Sequence, residues 1–166
     1  MKVGGIKAGL LTGREGHRIE VQFPDASLLE LELRPLKPLV RFGDRGLSRK
    51  GSEPASVSWY WTYTRLQATG NLRYENKDIP VEGLTWMDHE IFTNTDFIST
   101  GWNWFACQFD DNTELMVYQL KTKNNTFVTV SEGSYIDKLG NKTPIYFNDQ
   151  EITPLKFWYW FNNFIW

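Results

Sequence analysis

The stretch that decides the fold runs from residue 55 to residue 66 and reads Ala55-Ser-Val-Ser-Trp-Tyr-Trp-Thr-Tyr-Thr-Arg-Leu66. Its side chains alternate with a period of two, which is typical of a β-strand with one buried face. One side of the strand would carry Val57, Trp59, Trp61, Tyr63 and Arg65. The other side would carry Ser56, Ser58, Tyr60, Thr62 and Thr64. Along the chain as a whole, a helical period is hard to find.

The same alternation continues in both directions along the chain. It predicts further strands at 19–23, 29–33, 70–74, 79–92, 102–109, 114–121, 126–136 and 143–147. Turn-forming residues separate most of them, and 41–54, rich in Gly, Ser and charge, is predicted to be a long loop. Many antiparallel strands on short turns indicate an all-β meander, which hides its edges by closing into a barrel or packing as a sandwich.

The last ten residues, 157–166, carry no charge and break the alternation. Two readings stay open for them: a truncated or frame-shifted end, or a terminal aromatic strand that plugs a barrel.

Composition excludes several classes of function. The formal charge of −2, without long runs of one sign, gives no footprint for nucleic acid. Cys107 is the one cysteine and His17 and His89 are the two histidines, so neither a disulfide, a metal site nor another cofactor is expected. No stretch is apolar enough for a membrane span or an export signal, and we expect a soluble chain of undetermined compartment.

Aromatic residues reach 16% of the chain and include 8 Trp. Trp102 and Trp104 would share one face of a strand, as would Trp59, Trp61 and Tyr63. Such rows suit the wall of a pocket for an apolar ligand, and they suit an ordinary core equally well.

Trp86-Met-Asp-His-Glu90 places titratable groups within an otherwise apolar strand. Asp88 and His89 are candidates for acid–base chemistry, although neighbours on a strand face opposite sides unless a bulge intervenes. A structural His–Asp group is the favoured reading from spacing alone. Because buried charges must pair, we also expect Arg65 to join Asp88 and His89 in one polar group, so that Asp88→Ala would cost a few kcal/mol.

Three strings resemble the CrtC/AttH family, which includes carotenoid hydratases and predicted secreted hydrolases. They are Gly46-Leu-Ser-Arg-Lys-Gly51 with residues 55–66, then Val81-Glu-Gly-Leu-Thr-Trp-Met-Asp-His-Glu90, then Gly101-Trp-Asn-Trp-Phe105 with Asp111-Asn-Thr-Glu-Leu-Met-Val-Tyr118. The resemblance implies two consecutive lipocalin-like (calycin) barrels. Residues 1–54 would be the remnant of the first barrel and 55–166 most of a second, incomplete one, with looser packing before Pro54. It further implies export, and association with an ABC transporter.

In the hydratase branch, an acid protonates an isolated double bond and water captures the carbocation. The resemblance implies Asp88, His89 and Tyr118 as catalytic candidates. However, Ile91 stands where that branch has Trp, and Gln119 and Leu120 stand where it has an Asp. The sequence is therefore closer to the AttH-like members.

Two functions follow as expectations. The first is binding of an apolar small molecule, a lipid or isoprenoid, in an aromatic pocket formed by Trp59, Trp61, Tyr63, Arg65, Trp86, Glu90, Trp102 and Trp104. The alternative is a hydratase-like or hydrolase-like enzyme with an Asp–His pair that acts on a hydrophobic substrate.

Overall fold

A computed structural model describes residues 5–10, 15–50, 54–93, 101–120 and 132–145 of the chain. These residues form antiparallel strands and turns, with no helix among them. The strands are β1 (Ile6–Leu10), β2 (His17–Gln22), β3 (Leu28–Pro35), β4 (Val40–Arg41), β5 (Leu47–Arg49), β6 (Val57–Tyr74), β7 (Lys77–Phe92), β8 (Trp102–Gln108), β9 (Glu114–Leu120), β10 (Glu132–Ile136) and β11 (Lys142–Ile145).

The first sheet is organised around β6, its longest strand at 18 residues. One edge of β6 pairs with β3 and then with the short strands β4 and β5, while the other edge pairs with β7. Glu75 and Asn76, both with positive φ, form the two-residue turn between β6 and β7. Such a turn matches the twist of a hairpin. The sheet curls into a half-barrel.

The second sheet is a four-stranded meander in the order β11-β10-β9-β8. A buried cluster fills the space between the sheets. The first sheet contributes Val40, Phe42 and Tyr60, and the second Met116, Tyr118, Leu120 and Ile136. The first sheet also holds a separate cluster made by Leu33, Leu66 and Ala68 with Ile19, Leu31, Tyr63 and Met87.

A β-bulge in β6 separates these two clusters. The register with β7 shifts between Tyr63 and Leu66, so that two residues, Thr64 and Arg65, face one partner position. Before the bulge Tyr60 packs toward the second sheet, and after it Leu66 packs with Tyr63 on the opposite face. The bulge therefore allows one strand to serve both cores.

A buried ionic cluster ties the two sheets together. Glu114, at the start of β9, is fully buried, and its carboxylate accepts hydrogen bonds from Arg65 Nε (2.5 Å) and Lys37 Nζ (2.8 Å). Lys37 also donates to the main-chain oxygens of Asn112 (2.5 Å) and Asp137 (2.7 Å). The cluster thus joins the first sheet, through Lys37 and Arg65, to the start of β9 and the end of β10, which lie side by side.

The predicted all-β antiparallel fold is confirmed. Two details of the prediction are wrong. Strands predicted at 55–66 and 70–74 are one strand, β6, because residues 67–69 between them pair with both β3 and β7. The predicted loop at 41–54 contains β5, whose side chains alternate about the buried Ser48.

The predicted division at residue 54 stays a prediction, although strands on both sides of it share the first sheet. Looser packing before Pro54 also stays a prediction, although Leu33, Val40 and Phe42 of that segment are buried in the clusters above. The uncharged stretch 157–166 lies outside the described residues, as do 126–131 of a predicted strand. A search of the described residues found no helix long and apolar enough to cross a membrane.

Candidate functional site

A cavity of about 330 Å³ opens between the two sheets. This volume is at the lower end of the range found for small-molecule sites. Strands β6 to β9 and the residue that follows β5 line it. The lining residues are Lys50, Tyr60, Asp88, Glu90, Phe92, Trp102, Trp104, Tyr118 and Leu120.

The walls of this pocket follow from strand alternation and register. Asp88, Glu90 and Phe92 occupy alternate positions of β7, so their side chains project to the same face. Directly opposed pairs complete the wall: Tyr60 with Glu90, Trp102 with Leu120 and Trp104 with Tyr118.

The aromatic wall is held in place by ring contacts and a hydrogen bond. Trp86 meets Trp104 edge to face, with centroids 6.4 Å apart and an interplanar angle of 84°. Trp104 Nε1 donates to the hydroxyl of Tyr60 at 3.3 Å. Trp102 and Trp104 are still 49% and 42% exposed. These rings therefore present apolar surface to whatever enters the pocket.

Lys50 lies at the inner end of the pocket and is buried. Its ammonium contacts Glu90 Oε1 at 2.7 Å and lies over the rings of Tyr118 and Tyr60, at 4.0 Å and 4.9 Å from their centroids. Burial lowers the pKa of Lys50, and the negative charge of Glu90 opposes that change. Ser58 donates a second hydrogen bond, of 2.5 Å, to Glu90.

Tyr118 contacts this end of the pocket with its ring, while its hydroxyl points into a polar network behind it. The hydroxyl lies 2.9 Å from Ser48 Oγ and 3.1 Å from Glu132 Oε2. Burial, followed by the charge of Glu132, raises the pKa of Tyr118 above its ordinary value. Gly43 N–H also donates to Glu132, at 3.0 Å. Tyr118 is thus a protonated, firmly oriented part of the wall.

Asp88 is the carboxyl group nearest the aromatic wall. Its Oδ1 accepts a hydrogen bond of 2.8 Å from Trp86 Nε1, and Thr62 and Tyr60 are further hydrogen-bonding partners of the carboxyl group. The carboxyl is reached by solvent through the pocket, yet the surrounding protein removes enough water to raise its pKa. The nearby charge of Glu90 adds to this rise, whereas the hydrogen bonds oppose it.

The raised pKa of Asp88 predicts a pH effect on stability. Ionisation is harder in the folded chain than in the unfolded one, so the contribution of Asp88 is fully favourable below the unfolded pKa, near 3.8, and is lost as pH rises through the folded pKa. We therefore expect wild type to lose stability relative to Asp88→Asn as the pH of urea titrations rises above about 4.

Asp111→Asn is the matched control for this experiment. Hydrogen bonds from Thr113 lower the pKa of Asp111, so its stabilising contribution is present above the unfolded pKa and lost as pH falls. As the pH rises, the stability of wild type should therefore fall relative to Asp88→Asn and rise relative to Asp111→Asn. A change of the same sign for both variants would contradict the raised pKa of Asp88.

The structure brings together only part of the predicted site. Asp88, Glu90, Trp102, Trp104 and Tyr118 line the pocket. Trp86 stands beside them, against the core and in contact with Asp88 and Trp104.

Trp59, Trp61 and Tyr63 lie outside the pocket, on the face of β6 opposite to Tyr60. Their placement in the pocket was wrong because the polar-looking face of this strand, with Ser58 and Tyr60, is the one that faces the second sheet. Trp59 is 53% exposed, and Tyr63 packs with Leu66 in the other cluster.

The expected Asp88–His89 pair does not form. No bulge occurs between them in β7, since the bulge lies in β6, and they face opposite sides of the sheet. His89 is exposed and stacks on Trp61, with centroids 4.4 Å apart and an interplanar angle of 15°.

Arg65 does not join Asp88 either. It is buried as expected, but its partner is Glu114, and it also donates to the main-chain oxygen of Phe109 at 2.9 Å. The bulge aims both Thr64 and Arg65 at Glu114. The predicted loss of a few kcal/mol in Asp88→Ala stays a prediction, and the hydrogen-bonding partners that the change would remove from Asp88 are Trp86, Thr62 and Tyr60 instead of Arg65.

Sequence reasoning missed four lining residues: Lys50, Tyr60, Phe92 and Leu120. Lys50 was in a predicted loop, and no signal in the sequence marks it as buried. Tyr60 could have been found, since an aromatic residue amid Ser and Thr on one face is a candidate for a polar cavity wall. In the described part of the chain, no group of His, Cys, Asp and Glu residues is placed to hold a metal ion.

Comparison with known proteins shows what this chain is similar to. The family model described as AttH-like matches residues 7–162. A crystal structure of an AttH protein from Nitrosomonas europaea superposes with a TM-score of 0.81 at 26% identity, over 92% of this chain and 47% of that one. No functionally curated protein matches the sequence.

Kievitone hydratase from Nectria haematococca superposes with a TM-score of 0.63 at 13% identity, over 88% of this chain and 45% of the hydratase. This likeness shows the fold alone. The chain spans just under half the length of either solved structure. With an all-β fold shared by both structures and a family match over most of its length, the chain belongs to the AttH-like family.

Proposed function

We propose that the chain binds an apolar small molecule, of the lipid or isoprenoid class, in the pocket between the two sheets. The observation that carries this proposal is the aromatic wall of Trp102 and Trp104, which is ordered by ring contacts and yet partly exposed at a cavity of about 330 Å³. Exposed apolar surface that lines a concavity is typical of a ligand site.

The lining of the pocket combines apolar and charged side chains. Phe92, Trp102 and Leu120 supply carbon surface, whereas Asp88, Glu90 and Lys50 supply charge. A ligand with a long apolar body and a small polar end would match both surfaces. A purely polar ligand would leave the tryptophan rings in contact with water.

Trp104→Ala is expected to weaken the binding of a neutral apolar probe such as decanol by about tenfold, because truncation removes a ring that contacts the ligand and orients Tyr60. Isothermal titration calorimetry measures the affinity. Trp59→Ala is the matched control, since Trp59 is also an exposed tryptophan but lies on the opposite face. Equal losses in both variants, or no saturable binding by wild type, would refute the proposal.

A second candidate function is hydration of an isolated double bond in a hydrophobic substrate. Asp88 favours it, because this carboxyl lies in the pocket among Trp86, Tyr60 and Trp104 with its pKa raised by burial. A protonated carboxyl would transfer its proton to one alkene carbon, the aromatic faces would stabilise the carbocation, and water would add and release a proton. His89 has no part in this scheme, since it faces away.

This second function is tested with an apolar alkene that carries one isolated double bond. Mass spectrometry should show product heavier by one water with wild type and none with Asp88→Asn. Equal conversion by the variant would exclude Asp88 as the acid, and no conversion by wild type would leave binding as the function of the pocket.

A further inference from the structure

We propose that the pocket selects amphiphiles with a cationic head group, such as alkylammonium compounds, over those with an anionic one. The head would lie beside Asp88 and the apolar tail along Trp102, Trp104 and Leu120. This inference rests on the proposed binding function and names the chemical class of its ligand.

The charges that line the pocket are unbalanced. Two carboxylates, Asp88 and Glu90, line it together with one ammonium, that of Lys50. Glu132 adds a third carboxylate behind Tyr118, within electrostatic reach of Lys50. Lys50 contacts Glu90 at 2.7 Å, which leaves Asp88 without a cation of its own among the lining residues.

Lys50 is poorly placed to attract an anionic ligand. Its side chain is only 5% exposed, and its ammonium is enclosed by Glu90 and by the rings of Tyr118 and Tyr60. A carboxylate head group could reach it only by displacing Glu90 or by lying against it. Either arrangement would place like charges together in a partly desolvated site, which is unfavourable.

The surroundings of Asp88 suit a cation in two ways. The carboxylate supplies opposite charge, and the aromatic side chains near it supply the faces that attract ammonium groups. Trp86 and Tyr60 contact Asp88 directly, and Trp104 contacts both of them. Cages of aromatic rings with a carboxylate are the usual means of binding quaternary ammonium compounds. Such a ligand needs no hydrogen bond, and the Trp86 and Tyr60 donors stay on Asp88.

The test compares three probes with the same ten-carbon chain: decyltrimethylammonium, decanol and decanoate, each below its micelle concentration at neutral pH. Calorimetry on the full chain should give at least about tenfold tighter binding of decyltrimethylammonium than of decanoate, with decanol between them. Asp88→Asn should weaken decyltrimethylammonium binding by about tenfold and decanol binding by a clearly smaller factor, because decanol carries no charge. Glu82→Gln, which removes an exposed carboxylate of β7 outside the pocket lining, should change neither affinity.

The outcomes distinguish the two proposals. If none of the three probes binds to wild type, the proposed binding function fails. If decanol binds and decanoate binds as tightly as decyltrimethylammonium, the binding function stands and the head-group inference is overturned. An equal loss of decyltrimethylammonium affinity in Asp88→Asn and Glu82→Gln would also overturn it, because net charge alone would then explain the preference.

Discussion

Replacing Glu114 with alanine is expected to lower the free energy of unfolding by about 3–5 kcal/mol. The side chain of Glu114 is fully buried, and those of Lys37 and Arg65 are 4% and 5% exposed. Removing the carboxylate leaves two cations in a dry site with only main-chain oxygens as partners. Uncompensated buried charge costs far more than a lost surface contact. Urea unfolding, followed by tryptophan fluorescence, measures the loss.

Asp78→Ala is the control for this variant. Asp78 and Arg73 also form an ion pair, at 2.9 Å, but their side chains are 59% and 54% exposed. Water screens such a pair, and we expect a change of less than about 1 kcal/mol. If Glu114→Ala does not fold, Lys37→Met provides a milder test, because Glu114 keeps Arg65 as its partner. Similar stabilities of Glu114→Ala and Asp78→Ala would show that the buried cluster does not hold the sheets together.

The sequence predicts the strands well because strand alternation is a local property. Residues 55–66 show a period of two whatever they pack against, and β6 and β7 contain the residues that the alternation assigned to strands. Which face of a strand packs against the second sheet is not a local property. Trp59 and Trp61 are the more hydrophobic side chains of β6, yet Ser58, Tyr60 and Thr62 face the second sheet.

For buried charges, too, the sequence predicts one part of the outcome and leaves another part open. The expectation that Arg65 must be paired if buried is confirmed, because the cost of an unpaired charge depends on burial alone. The identity of its partner depends on the bulge at Thr64 and Arg65 and on the register of β9, which no local pattern encodes. Asp88 is the nearest acidic candidate in the motif, whereas the partner, Glu114, begins strand β9 of the second sheet.

The sequence predicts only some of the residues that line the pocket, and the reason is again the difference between local patterns and contacts between strands. Trp102 and Trp104 were correctly paired on one face because they lie two residues apart on one strand. Lys50 was missed because its position depends on a non-local contact with Glu90 across the sheet. Residues whose roles arise from contacts between strands therefore require the structure.

Gly70→Ala is expected to destabilise the chain by about 3 kcal/mol, whereas Gly83→Ala should change stability by less than about 1 kcal/mol in either direction. Both glycines lie in the first sheet, on β6 and β7, where a larger residue would ordinarily favour the strand. A Cβ at Gly70 would lie 1.9 Å from the main-chain oxygen of Glu30 and 3.0 Å from the Cα of Leu31, and these backbone atoms of β3 cannot move without breaking the β3–β6 pairing. A Cβ at Gly83 would meet nothing within 4 Å. Urea titrations measure the stability of both variants. Equal unfolding midpoints would contradict the close approach of β3 to β6 at Gly70.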